Sequence, residues 1–330
     1  MITPANFSIF VTNVNTMIGE AYKDTVEPIK EQISTEVPFE SETLTFGWTG
    51  MLPQMRVWEG PRVANEAAPQ TYSQSALPFE FTLTLDRFRL DDDQFGIYYR
   101  QLPDMARQAK RWPILQLRNL LEAAFPFSGA SFQAGLDGLP NFSTAHPVDL
   151  YNQGAGGPGT YCNDFTGGGQ TIGGILIGGA FSPTAFATLY EYNSILKGED
   201  NEPLGITPNL LVHPAQLKTE VDYVLKSAFF AAPTYGTLTG QVGAADNMFK
   251  RFGVEPLEHK FLKSASKWYL LDTTKPMKPL VWGLREAPIF VQRTNEDDPT
   301  VFDLHQYTWG NWGRAVPMWS YAWLMARSGP

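Results

Sequence analysis

The spacing of apolar residues changes several times along the chain, and each change predicts an element. Phe7, Phe10, Val11, Val14, Met17, Ile18 and Ala21 recur at intervals of three and four, the stripe of an amphipathic helix over Phe7 to Tyr22. From about Glu27 to Thr49 the pattern is polar and contains proline, which predicts an extended arm with little core of its own, laid on another surface. From Leu77 to Leu90 the chain alternates, with Phe79, Phe81, Leu83 and Leu85 against Glu80, Thr82, Thr84 and Asp86, a half-buried strand. Met55 to Arg62 predicts a second strand, and the small polar run between the two (NEAAPQTYSQSA) a long tip. An isolated hairpin is marginal in water, so this one is expected to be stabilised by a neighbour.

Asp91, Asp92 and Asp93 stand where carboxylates would cap a long helix running to about Phe125. If continuous it spans roughly 45–50 Å, and Pro103 and Pro113 are each expected to kink or segment it. Ser128 to Gly179 is glycine-rich and irregular, which predicts long loops. Ser182-Pro183 has the signature of a helix start, with a stop at Gly198. A short buried strand follows at Asn209–Val212, then a helix from Pro214 to about Ser227 and a loop over Ala231–Ala245. Strands are expected at 254–261, 267–271, 280–283, 289–293, 301–309 and 316–326. The order of elements is α+β, with no βαβ rhythm and no internal repeat.

Composition narrows the classes of function. The chain has 330 residues, of which 43% are hydrophobic and 13% aromatic, enough to bury a sizeable core, while charged residues make up only 18%. A formal net charge of −9 argues against binding nucleic acid by phosphate neutralisation. The single cysteine, Cys162, excludes an intrachain disulfide framework and suits a reducing compartment. The opening MITPANFSIF lacks the basic and apolar regions of a secretory signal, and no apolar run is long enough to span a bilayer.

Candidate chemistry is sparse. His146, His213, His259 and His305 form no H-E-x-x-H spacing, and the three aspartates at 91–93 lack the spaced ligands of a calcium loop, so no metal is expected. The glycine clusters match neither a P-loop nor a dinucleotide fingerprint, so no cofactor is expected. Cys162 has no nearby His or Arg in sequence, and no G-x-S-x-G occurs, so the chain is not expected to be an enzyme. The aromatics Tyr307, Trp309, Trp312, Trp319, Tyr321 and Trp323 alternate as in a buried sheet, which favours core or interface over a stacking platform.

Several segments in order carry a resemblance: MRVWEGPR at 55–62, FEFTLTLDRFRLDDDQFGIY at 79–98, GLDGLPNFSTAHP at 135–147 and PNLLVHPAQL at 208–217. KWYLLDT at 267–273, PLVWGLREAPIF at 279–290 and FDLHQYTWGNWGRAV at 302–316 complete it. Together they resemble the Mu-like phage major head subunit family, with the glycine-rich 151–175 stretch as a departure. The resemblance implies a Hong Kong 97-type capsid fold. Residues 1–49 would be an N-terminal arm and 50–87 an extended hairpin loop. Residues 88–175 and 276–330 would form a peripheral domain around a spine helix, and 176–275 an axial domain. It implies a virion protein, assembled in the host cytoplasm into pentamers and hexamers of an icosahedral head. Partners would be a scaffold, a portal and decoration proteins, around double-stranded DNA bound without sequence specificity. Arg56, Trp58, Glu59, Arg62 and Glu66 on the hairpin, and Phe10 and Val14 on the arm, are the expected inter-subunit contacts. The alternatives are an encapsulin-like compartment shell and a tail-associated or carbohydrate-binding phage protein.

Overall fold

The computed structural model describes residues 4–24, 27–48, 70–92, 97–122, 134–150, 159–231, 244–295 and 297–330. In chain order the elements begin with α1 (Pro4–Asp24), α2 (Ile29–Ile33), β1 (Ser34–Pro38), β2 (Thr43–Trp48), β3 (Gln70–Ser75) and β4 (Leu77–Asp86). Then come α3 (Arg87–Asp91), α4 (Ile97–Leu121) and five short strands: β5 (His146–Pro147), β6 (Thr160–Tyr161), β7 (Asp164–Thr166), β8 (Gln170–Ile172) and β9 (Ile175–Ile177). The middle holds α5 (Pro183–Ser194), β10 (Leu210–His213), α6 (Lys218–Lys226), β11 (Phe229–Ala231), β12 (Ala244–Asp246), β13 (Glu255–Glu258) and β14 (Trp268–Leu271). The chain closes with β15 (Leu280–Arg293), α7 (Pro299–Leu304), β16 (Gln306–Trp319) and β17 (Met325–Gly329).

Two sheets organise the molecule. The first runs β1-β15-β16-β4, with β1 parallel to β15 and the other neighbours antiparallel. The second runs β13-β10-β14-β17-β7. Strand β14 (WYLL), at the centre of the second sheet, is apolar on both faces. Because successive side chains point to opposite faces, Tyr269 and Leu271 enter one core while Trp268 and Leu270 enter another. The first core also holds Ile114, Leu117 and Leu121 of α4 and Leu280, Trp282 and Ala315 of the first sheet, so α4 joins the two sheets. The second core packs the opposite face against α5 and α6 through Phe186, Leu189, Val221 and Val224.

The predicted stripe on α1 is real, and its partner is intramolecular: Val14 and Ile18 pack with Met105 and Ala106 of α4 and with Leu85, Tyr307 and Trp309 of the first sheet. The expected extended arm is likewise built into the body. Ile29 and Ile33 enter the main core, and β1 completes the first sheet from Ser34↔Leu280 to Pro38↔Leu284.

The expected strand at 77–90 exists as β4, but it pairs residue by residue with β16, from Leu77↔Ala315 to Asp86↔Gln306. The hairpin observed is instead β2–β3, with Thr43↔Ser75 through Trp48↔Gln70; the strand expected at 55–62 lies outside the described residues.

Position 91 is the last of the short helix α3, at whose start Asp86 Oδ1 accepts from the N–H groups of Phe88 and Arg89, and Asp93 lies outside the described residues. Helix α4 runs 25 residues through both Pro103 and Pro113, about 37 Å at 1.5 Å per residue. Burial of its apolar face outweighs the hydrogen bonds the prolines remove. The strand expected at 301–309 begins as helix α7 instead. Asp298 accepts from the Thr300 N–H and Pro299 sits in the first turn, a combined helix-start signal. The two strands expected at 280–283 and 289–293 are one, β15, with register shifts between Leu284, Glu286 and Ile289. Finally, β7 and β17 place residues 164–166 and 325–329 in the second sheet, across the boundaries drawn at 175 and 276.

Candidate assembly surfaces

The β2–β3 hairpin is seated on the body. Phe46 packs against Val281, Val316 and Met318, the face of the first sheet opposite α4. The Tyr72 hydroxyl donates to the Trp319 carbonyl. Burial in this seat pushes the Tyr72 phenol well above its ordinary range. At the outer end Trp48 meets Tyr321 (ring centroids 5.0 Å) and Trp323 (5.5 Å), and its Nε1 donates to Glu199 Oε1 at 3.2 Å. Tyr321 and Trp323 stack at 4.8 Å. An aromatic clasp therefore joins the outer end of the described hairpin to the start of the C-terminal strand and the turn after α5. Sheet register at its foot is tight: a Cβ at Gly283 would lie 2.6 Å from Leu44 Cδ2.

Of the expected contacts, Arg56, Trp58, Glu59, Arg62 and Glu66 lie outside the described residues, as does the side chain of Phe10, whose backbone is in α1. Val14 is corrected: at 1% exposure it is a core residue of its own chain, because α1 turns its stripe onto α4.

A groove of about 770 Å³ lies between α4, the α1–α2 junction and the bulged part of β15. Phe79, Trp112, Leu284 and Trp312 line it, with Glu31 and Arg314 on its walls. Large apolar side chains also stand exposed at Phe302 (75%) and Ile175 (60%).

One loop constellation is invisible to spacing rules. His146, fully buried, places Nδ1 2.5 Å from Asp137 Oδ2 and Nε2 3.0 Å from the Asn141 carbonyl. The Asn163 amide donates to the carbonyls of Asn141 (2.6 Å) and Ala322 (3.0 Å). GLDGLPNFSTAHP is thus a locked loop that fastens 134–150 to the C-terminal segment. The Asp137-Gly138 turn, with Gly138 at φ +73°, was the readable signal.

The other histidines are structural. His213 Nδ1 faces the Pro214 carbonyl at 2.9 Å and burial lowers its pKa; His259 is buried and pushed down to about 4. His305 occupies a left-handed turn at φ 53°. Burial pushes the Cys162 thiol up to about 11, so it stays protonated near neutral pH. Among the described residues no group of three or more His, Cys, Asp or Glu is placed to hold a metal, and no helix is long and apolar enough to cross a membrane.

A spine helix bridging two sheets, with a seated hairpin, is the architecture of phage head subunits, the Hong Kong 97-type capsid fold. The chain superimposes on the procapsid protein of bacteriophage JBD30 with a TM-score of 0.53 at 23% identity, covering 99% of this chain and 76% of that one. It superimposes on the protein of Mycobacterium phage Adephagia with a TM-score of 0.52 at 10% identity, covering 93% and 90%. The family model of the Mu-like prophage major head subunit gpT matches residues 8–174 and 258–328, and the chain belongs to that family. It is also 27% identical to the major capsid protein of Escherichia phage Mu over 148 residues, so the match spans about half of each protein (45% of this chain, 46% of that relative).

Proposed function

We propose that this chain is the major capsid protein of a tailed double-stranded DNA phage, and that it acts by assembly alone. Identical copies gather into pentamers and hexamers that close into an icosahedral head around the genome. The observation that carries this reading is the family match over residues 8–174 and 258–328, joined by the fold likeness to the JBD30 procapsid protein that covers 99% of this chain. The acidic balance of −9 fits a wall that encloses DNA without holding it by phosphate contacts. The two-sheet body supplies the division of labour. The first sheet with α1 and α4 forms the peripheral part, and the second sheet with α5 and α6 forms the axial part.

The hairpin beyond Trp48 and Gln70, with Arg56, Trp58, Glu59, Arg62 and Glu66, reaches a neighbouring copy, as does Phe10 at the start of α1. Charges of both signs there select a docking register more than they add affinity. Assembly takes place in the host cytoplasm with a scaffold and a portal. The JBD30 capsid is described as decorated with minor capsid protein trimers, and a decoration partner of that kind is part of this reading.

Electron microscopy of particles from cells making the chain with the other head proteins of its phage tests the proposal. Closed angular shells are expected, and open or absent assemblies would overturn it. Deleting residues 54–66, which spares both paired strands, is expected to leave a folded, assembly-deficient subunit; normal shells would remove the tip from the mechanism.

A further inference from the structure

We propose that the β8–β9 hairpin is a contact between copies, in which the apolar tips of neighbouring subunits bury one another; this rests on the shell reading above. Three observations converge. The first is exposure. Ile175 (60%), Leu176 (56%) and Ile172 (36%) crowd one small two-stranded hairpin, closed by Gly173-Gly174, both at positive φ. A two-residue turn of this kind presents its tip without slack.

The second is rigidity at the base. A Cβ on Gly178 would lie 2.6 Å from both Phe165 Cβ and Ser328 Oγ, so the strand returns in close contact with the second sheet. Ser328 Oγ accepts from the Gly179 N–H at 2.8 Å, and Trp268 Nε1 donates to the Gly179 carbonyl at 3.0 Å. The apolar tip is held on a fixed mount, and presenting it rigidly lowers the ordering cost of an interface.

The third observation selects the occupant. Residues 165 to 190 contain no Asp, Glu, Lys or Arg, in a chain of net charge −9. Where identical copies meet about a common axis, any charge at the meeting point faces itself, and like charges placed together are strongly disfavoured. An uncharged, rigid, apolar hairpin is what an acidic subunit requires for self-contact. A partner of different sequence would impose no such neutrality.

The test uses the full chain produced with the other head proteins of its phage. Because the tip is exposed, I175E and I175K should each melt at the wild-type temperature. Each alone is expected to lower the yield of closed particles by at least about tenfold, since like charges then converge. Producing the two variants together is expected to restore particles to within about threefold of wild type, because opposite charges meet. Wild-type yield from either variant alone would overturn the proposal. So would failure of the mixture to recover, which would place the tip against something other than its own counterpart. Absence of particles from the wild-type chain would instead defeat the shell reading itself.

Discussion

Arg327 and Asp164 form a two-pronged ion pair across the parallel contact of β17 with β7, with Nη2–Oδ2 at 2.6 Å and Nε–Oδ1 at 3.3 Å. The two side chains are 10% and 17% exposed, and the guanidinium also lies 4.5 Å over the Phe142 ring. The pair ties the last strand of the chain to a segment 163 positions earlier. Burial alone would raise the Asp164 carboxyl, but the hydrogen bonds and charge of Arg327, with help from Thr166, outweigh it and hold the group below its ordinary 3.8. Replacing Arg327 by Met is expected to cost about 3 kcal/mol, because it leaves a largely buried carboxylate without its partner. A folded pKa below the unfolded one means the pair's contribution is present above about pH 4 and disappears as pH falls through the depressed value. Urea unfolding of wild type and variant at neutral and acid pH checks both; a constant difference would remove the pair from acid stability.

His259 gives the second prediction. Burial disfavours its charged form, neither ring nitrogen has a hydrogen-bond partner among the described residues, and Arg118 adds positive charge nearby, so the imidazole stays neutral down to about pH 4. The unfolded chain takes up that proton near 6.5, so folding loses stability from pH 6.5 downward, by about 3 kcal/mol at pH 4. His259→Leu is expected to lack this portion of the acid sensitivity. Parallel stability curves for the two proteins would show that His259 is not buried neutral.

The clasp under the hairpin is testable without assembly. Tyr72→Phe removes one hydrogen bond to the Trp319 carbonyl and should cost about 1 kcal/mol. Trp48→Ala removes the ring that meets Tyr321 and Trp323, and is expected to speed protease cleavage within residues 49–69 severalfold while leaving the two-sheet body folded. Equal cleavage rates would mean the clasp does not hold the hairpin.

Gly178→Ala should be among the costliest single-methyl additions in the chain. The residue sits at φ +74°, and its new Cβ would stand 2.6 Å from two buried atoms of Phe165 and Ser328. Strain and overlap together are expected to cost about 3 kcal/mol, read from the urea midpoint at constant m-value.

Removing residues 1–25 now carries a definite expectation. Val14 and Ile18 are 1% and 4% exposed and fill the space between α4 and the first sheet. The truncated chain should unfold at lower denaturant by several kcal/mol, as deletion of two core side chains requires. Unchanged stability would return α1 to the status of a detachable arm.

Period by itself settled the elements whose burial is local. The stripe from Phe7 to Ala21 specified α1, the alternation from Phe79 to Asp86 specified β4, and Ser182-Pro183 specified the start of α5, where Ser182 accepts from the Ala185 N–H at 3.1 Å. The family was legible in the order of its motifs, and with it the capsid fold. Pairing partners were not legible, because the same alternation serves a projecting hairpin or a central strand. Only the tertiary structure decided that β4 lies against β16, that β1 completes the first sheet, and that β17 crosses into the second. The same limit hid the His146–Asp137 pair and the mount of Gly178. In each, atoms far apart in sequence meet in one volume, and a one-dimensional pattern records which face a residue prefers but not what will stand opposite it.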